Sequence, residues 1–309
     1  MPAHFTQTIA LVTGATNQIG HFLLPRLQAA GFRVIAISRA PVPPSAQGIM
    51  WQQLDLNTQA LPPVAPSILF HLAPLPLLPK LLAELPNPLP IQRVITFSST
   101  SCFTKMSSSD PKEREIVQGL NDAELALAKV CSERQIAWTV FRPTLIYGAG
   151  KDKNISFIAH FIQRFGFFPL IAGGKGLRQP VHADDLAAAC VQAYAEEATY
   201  NRAYNLSGGQ TLTYREMVEG VFHSLRKPPR IISIPAQLFK LALNIARKLP
   251  RFQHLSPAML DRMNQDLCFD HKTASDDFGF RPRPFHASDL GLNPKPVNLL
   301  QPKSKQNAG

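Results

Sequence analysis

The stretch Thr8-Ile9-Ala10-Leu11-Val12-Thr13-Gly14-Ala15-Thr16-Asn17-Gln18-Ile19-Gly20 decides the fold. Its apolar run reads as a buried strand, its glycine-containing middle as a turn, and Phe22, Leu23, Leu24 and Leu27 beyond it as the apolar face of a helix. Such a turn at a helix N-terminus suits a dinucleotide pyrophosphate. Small residues let the backbone approach, while the first-turn N–H groups and the helix dipole make an anion site. The helix ends at Gly31, and Phe32 to Ser38 reads as a second buried strand, so a βαβ unit begins here. The expected class is α/β, a Rossmann-type doubly wound parallel sheet.

At 309 residues with 45% apolar content, the chain can bury one large core or two lobes. The N-terminus lacks a basic flank leading into an apolar segment and cleavage site, and no run approaches the ~18 apolar residues of a spanning helix. A soluble, cytoplasmic protein is the expectation. Cys102, Cys131, Cys190 and Cys268 are far apart and form no Cys-x-x-Cys pair, so they read as reduced thiols, mostly in the core, and no metal site is expected. The formal net charge of +11 fits an anionic ligand, an anionic surface or plain solubility. The Lys and Arg residues are scattered without a nucleic-acid signature, which sets nucleic acid aside as a partner.

The second strand closes on Ser38 and Arg39, where a dinucleotide fold meets the adenosine ribose. An acid there selects the free 2′-hydroxyl, whereas an Arg accommodates a 2′-phosphate; with no acid present, NADP is favoured over NAD. Strands are expected at Met50 to Leu54, Ser67 to Leu72, Arg93 to Thr100 and Ile136 to Phe141. The proline-rich segment from Pro74 to Pro90 leaves room for a helix over Lys80 to Leu85 at most. Asp110-Pro111-Lys112-Glu113 carries helix-start signals for a long helix to about Arg134. Beyond Gly150 come a helix over Asn154 to Phe165, a Gly-rich loop over Phe168 to Gly176 and an Ala-rich helix over Asp184 to Ala195. A short strand at Tyr204 to Leu206, a capping box at Thr213 to Glu216 and a strand at Ile231 to Ile234 follow. Pro235 to Leu249 reads as a basic amphipathic helix, the stretch Pro235 to Phe252 as one that packs on its own domain or lies on an anionic membrane surface, and the chain from Asn293 on as a disordered tail.

These stretches resemble the extended short-chain dehydrogenase/reductase superfamily, and within it the NAD-dependent epimerase/dehydratase group. The matching residues are Thr13 to Gly20, Asp55-Leu56, His71-Leu72-Ala73, Ser98-Ser99-Thr100, Arg142-Pro143 through Gly148, Arg178 through Asp185, Tyr204 through Gly208, and Phe269 through Phe280. The resemblance implies a cofactor lobe over residues 1–147 and a smaller C-terminal substrate lobe over 148–292, with 183–206 returning to the first lobe and 293–309 as the tail. It places the cofactor on Thr13, Gly14, Thr16, Asn17, Gln18, Ile19, Gly20, Ser38, Arg39, Asp55, Leu56, Leu72, Ala73, Pro74 and Pro143. A nucleotide-sugar or similar anionic substrate would meet Tyr147, Asn154 and Arg178. A homodimer, paired through long helices of which Asp110 to Arg134 is one, is implied in the same way.

The chain departs from that pattern twice. Asn17 replaces the middle glycine of the phosphate turn, where Asn tolerates left-handed backbone better than most residues. The catalytic Tyr and Lys, counted back from Glu124, fall on Ile116 and Leu120, neither of which can transfer a proton. Ser99 matches the remaining catalytic hydroxyl, with Thr100 next to it; His71, Lys129 or a group of the substrate is a candidate replacement donor, and Tyr147 with Lys151 is the one Tyr-x-x-x-Lys match. Two functions stay open: an NAD(P)-dependent epimerase-like or reductase-like enzyme with a non-standard proton donor, or a catalytically silent NAD(P)-binding sensor or structural subunit.

Overall fold

The computed structural model describes residues 8–41, 48–62, 67–88, 90–152, 154–235, 237 and 262–291. The amphipathic segment Pro235 to Phe252 and the tail beyond Asn293 lie almost wholly outside these residues. Among the described residues no helix is long and apolar enough to cross a membrane.

The chain runs β1 (Ile9–Thr13), α1 (Gln18–Ala29), β2 (Arg33–Ser38), β3 (Met50–Gln53), β4 (Ser67–His71), α2 (Leu78–Ala83), β5 (Ile91–Phe97), α3 (Ser101–Thr104), α4 (Pro111–Glu133), β6 (Ala137–Pro143) and β7 (Ile146–Tyr147). It continues with α5 (Ile155–Phe165), β8 (Phe168–Ile171), β9 (Leu177–Arg178), β10 (Val181–His182), α6 (Ala183–Ala195), β11 (Arg202–Leu206), β12 (Leu212–Thr213), α7 (Tyr214–Ser224) and β13 (Ile231–Ile234), and a short helix at Lys272–Phe278. Seven strands form one sheet in the order β11-β6-β5-β4-β1-β2-β3, all parallel. This is the doubly wound Rossmann architecture expected from the first strand and turn.

Its strands are apolar throughout because both faces are covered. Ala10 and Val12 pack with Ala36 and Phe70 toward α1 and α6, while Leu11 between them packs with Ile35, Leu69 and Val94 toward α2 and α4. Helix α4 starts as its sequence predicts: Asp110 accepts from the Lys112 N–H, Pro111 occupies the first turn, and Val117, Ala123, Leu127 and Val130 are buried. A third core lies between α5, α7 and β8 (Ile158, Ile162, Leu170, Val218 and Phe222). The capping box of α7 forms as read, with Thr213 and Glu216 each satisfying the other's backbone.

Two expectations are corrected. Phe168 to Gly176 is not wholly loop, since β8 pairs in parallel with β13; Pro169 and the following glycines mask the strand in the sequence. Helix α2 starts at Leu78 and ends at Ala83 rather than staying within Lys80 to Leu85, because Pro79 falls in its first turn, where a missing N–H costs nothing. The cysteines are free and mostly in the core as expected: Cys102, Cys131 and Cys190 are buried and Cys268 is exposed, and burial pushes the Cys131 thiol up to about 12.

Arg93 is 4% exposed on β5 without a carboxylate partner among the described residues. One Nη donates to the Thr139 hydroxyl at 2.5 Å and the Thr199 hydroxyl at 2.8 Å, and the guanidinium lies 4.3 Å from the Tyr200 ring centroid. Among the described residues its Nε and other Nη have no hydrogen-bond partner, and burial pushes its pKa down to about 10. A desolvated cation with two open donors costs stability. Both threonine hydroxyls donate to carbonyls of their own, Thr139 to Thr199 O and Thr199 to Glu196 O, so removing the cation orphans neither. Arg93→Met is therefore expected to raise the unfolding free energy by about 1 kcal/mol or more, read as a higher urea midpoint at unchanged slope. A lower midpoint would mean that the ring and hydroxyl contacts outweigh desolvation.

Candidate functional site

Strands β1, β2, β4, β5 and β6 all end on one edge of the sheet, and two compartments of a cleft open there. One, of about 680 Å³, lies beside Ser38, Arg39, Asp55 and Leu56. The other, of about 940 Å³, runs past Ser99, Leu120, Asn154 and Arg178. They share Thr16, Asn17, Leu72, Ala73 and Pro74, so the turn after β1 and the exit of β4 form the seam.

At that turn Gly14 has φ +65°, and a Cβ on it would stand 2.6 Å from Ala73 N. A Cβ on Gly20 would stand 2.2 Å from Ala15 O. Asn17, in contrast, is extended (φ −73°, ψ 179°) and caps α1. Tolerance of left-handed backbone is therefore not what Asn17 supplies. Its Oδ1 accepts from Gly20 N at 2.8 Å, and its Nδ2 donates to Leu72 O at 2.9 Å. Among the described residues the N–H groups of Gln18 and Ile19 keep no partner, and the first turn of α1 carries no acid. This is an open anion cradle with one donor already taken.

In the smaller compartment the Ser38 hydroxyl lies 3.3 Å from that of Thr16 and accepts from Ala40 N at 3.0 Å. Asp55 accepts from the backbone N–H of Asn57 at 3.0 Å and from its side-chain amide at 2.7 Å. These bonds, with a smaller pull from Arg39, hold the carboxyl below its usual range. Arg39 is exposed on the rim.

In the larger compartment Ser99 Oγ accepts from Ser101 N at 3.1 Å, which leaves its O–H to donate, whereas Thr100 spends its O–H on Pro143 O at 3.0 Å. Pro143 is buried and borders neither compartment. Leu120 lies on the wall; Ile116, 65% exposed, does not border the compartment. Glu124 grips Arg142 through both carboxylate oxygens, pinning α4 to the end of β6.

Neither replacement donor is in place. His71 is fully buried: its Nε2–H donates to Pro74 O at 3.2 Å, so its Nδ1 accepts from the Thr13 hydroxyl at 2.8 Å. Burial pushes its pKa down to about 4, and the ring is a neutral brace between β1 and the β4 exit. Lys129 is exposed, lies 4.0 Å from Glu133, and borders neither compartment.

The residues assigned to substrate separate as well. Asn154 and Arg178 border the larger compartment, but Tyr147 is 0% exposed, with ring contacts to His182 and Phe285 at 5.0 Å and its hydroxyl accepting from His286 N at 3.4 Å. It also sits in β7 rather than a helix, which removes the Tyr147–Lys151 pair as a proton relay. Arg178 is 4% exposed and donates to Leu177 O and Gln265 O at 2.7 Å and to Arg262 O. Lys105, Tyr214 and Arg262 border the same compartment and were not singled out in the sequence. Lys105 and Arg262 both pair with Glu113 on α4, a contact between distant segments that leaves no local signal. Tyr214 was findable, since the capping box places it at the first position of α7.

Residues 77–207 match the model of the NAD dependent epimerase/dehydratase family. The mouse short-chain dehydrogenase/reductase family 42E member 1 is 29% identical over 164 residues, 48% of this chain and 41% of that protein. Subunit 9 of the 1 alpha subcomplex of mitochondrial NADH dehydrogenase [ubiquinone] from Arabidopsis thaliana is 32% identical over 103 residues, 33% of this chain and 25% of that protein. The aligned chain spans about half the length, or less, of these curated relatives. The UDP-glucose 4-epimerase of Thermus thermophilus, solved with NAD, superposes with a TM-score of 0.66 at 15% identity, covering 92% of this chain and 97% of that one. Over residues 77–207 the chain is thus similar to the NAD dependent epimerase/dehydratase family, and it shares the fold of a solved UDP-glucose 4-epimerase.

The His71 brace sets a pH dependence. Its folded pKa lies below the free value of 6.5, so the unfolded chain binds the extra proton between the two. Stability from this group is complete above pH 6.5 and is lost as pH falls toward 4. Between pH 7 and pH 4 the unfolding free energy of the wild type should fall by about 3 kcal/mol more than that of His71→Gln, which keeps a donor and an acceptor but cannot titrate. Parallel pH profiles for the two proteins would refute the neutral-brace assignment.

Proposed function

We propose that the chain binds NADP(H) along the cleft, holds an anionic, nucleotide-linked ligand in the larger compartment, and acts as a cofactor-dependent sensor or structural subunit. The observation that carries this reading is the wall at Leu120. Where the family's pattern asks for a lysine to tune a tyrosine, this chain presents an apolar side chain, and Ile116 lies off the wall. Loss of such a proton relay removes ~10²- to 10⁴-fold in rate.

The residues present fit the cofactor. The free N–H groups of Gln18 and Ile19 would hold the diphosphate. Ser38 and Thr16 would face the ribose, Asp55 the adenine, and Arg39 the 2′-phosphate, while Ala73 and Ser99 would border the nicotinamide half. Bound there, nicotinamide can give or take hydride; the chain's own part is to orient it and to offer the Ser99 O–H to a substrate oxygen. In the larger compartment Lys105, Arg178 and Arg262 bring positive charge toward a phosphate-bearing ligand. That the Arabidopsis relative is named as a subunit of NADH dehydrogenase accords with a structural role.

The free Ser99 O–H favours a second reading, an epimerase-like or reductase-like enzyme that uses another donor. Calorimetric titration with NADPH and NADH, followed by incubation with UDP-sugars, separates the two. The first reading expects NADPH to bind more tightly than NADH, Arg39→Asp to weaken NADPH by about 10-fold or more while sparing NADH, and no sugar conversion. Conversion of a UDP-sugar would establish the enzyme; absence of binding by either cofactor would end both readings.

A further inference from the structure

Lys151 has no role in the reading above, yet it reaches the most sensitive point of the cleft. It follows the bend Gly148-Ala149-Gly150, which is held where Gly150 N donates to Leu290 O at 2.7 Å. From there its Nζ crosses to donate to Thr16 O at 2.9 Å. Thr16 borders both compartments and precedes the helix cap by one residue.

The lysine side chain is exposed and has no ion pair among the described residues. The carboxylate beside it in sequence is already spent: Asp152 Oδ1 accepts from Asn154 N at 3.1 Å and Ser156 N at 2.9 Å, and Oδ2 accepts from Ser156 Oγ at 2.6 Å. A cation held by one neutral carbonyl at the mouth of an anion cradle is poised for an anion. The cradle has reason to need it. Asn17 Oδ1 occupies the Gly20 N–H, and a helix N-terminus alone carries only about half a positive charge against a diphosphate with two negative ones.

We infer that Lys151 is a cofactor-binding residue whose ammonium exchanges Thr16 O for a diphosphate oxygen of the dinucleotide. The inference rests on the proposed NADP(H) binding. It makes the second side of the cleft, reached through β7, a contributor to cofactor affinity, and it accounts for how the phosphate turn works with Asn17 in the position of a glycine.

Titrations of the wild type, Lys151→Gln and Lys151→Arg with NADPH, NADH and ADP-ribose test it. The diphosphate is common to all three ligands, so Lys151→Gln should weaken each by a similar factor of about 10 or more, because charge-assisted hydrogen bonds are the strong ones. The loss should shrink with added salt, and Lys151→Arg should recover most of it. The unliganded melting temperature should stay unchanged, since the side chain is exposed. Affinities within twofold of the wild type overturn the inference while leaving cofactor binding intact. A loss confined to NADPH would assign the ammonium to the 2′-phosphate, and one confined to the two nicotinamide ligands would assign it to that ring; either also overturns it. A wild type that binds none of the three removes the dinucleotide reading itself, and this inference with it.

Discussion

The backbone of the turn after β1 runs against the exit of β4 with no room for a side chain between them. A Cβ at Gly14 would meet the Ala73 N–H and the Leu72 carbonyl group within 2.8 Å. Asn17 ties the same two segments from the other side by donating to Leu72 O. His71 and Thr13 join them beneath, through a buried hydrogen bond. Because the seam between the two compartments is made of these residues, their spacing sets both the path of the cleft and the aim of the first-turn amides of α1. A close-packed contact of this kind does not deform gradually.

Charge is distributed around this seam in a consistent way. The buried histidine is kept neutral, and the acids near the cleft are committed to local partners: Asp55 to Asn57, Asp152 to Ser156, Glu113 to Lys105 and Arg262, Glu124 to Arg142. Of the four cations that border the larger compartment, Lys105 and Arg262 share Glu113, while Arg178 and Lys151 have no carboxylate partner among the described residues. Among the described residues Arg178 donates only to carbonyls, and Lys151 only to Thr16 O. A cleft whose acids are all paired while two of its cations are not is electrostatically disposed toward anions. The global excess of positive charge agrees with this but does not locate it.

The parts legible in the sequence are those written in short-range terms. The β1–α1–β2 unit follows from periodicity and one turn, and the starts of α4 and α7 follow from Asp110-Pro111 and from the Thr213–Glu216 box. What escaped depends on partners far along the chain. Strand β8 is a strand because Ile231–Ile234 lies beside it. Tyr147 sits between His182 and Phe285, so a residue that local pattern places at the substrate is part of the core. His71 looks like a spare acid or base until Thr13 and Pro74 are seen to use both of its nitrogens. Residue type can nominate a group for chemistry, but burial and bonding decide whether it is available.

The sheet's edge strand β11 carries a consequence for how the protein is made. Arg202–Leu206 pairs with β6, and α6, just before it, covers α1. Synthesis delivers the N-terminus first, yet the sheet stays incomplete until Leu206 is out. Until then β6 presents an unpaired edge and α1 an uncovered apolar face, the features that invite mispairing. A ribosome stalled within α5 or β8 would therefore hold a nascent chain that carries the whole turn after β1 but cannot yet shield it, and chaperone dependence should concentrate in that window of translation.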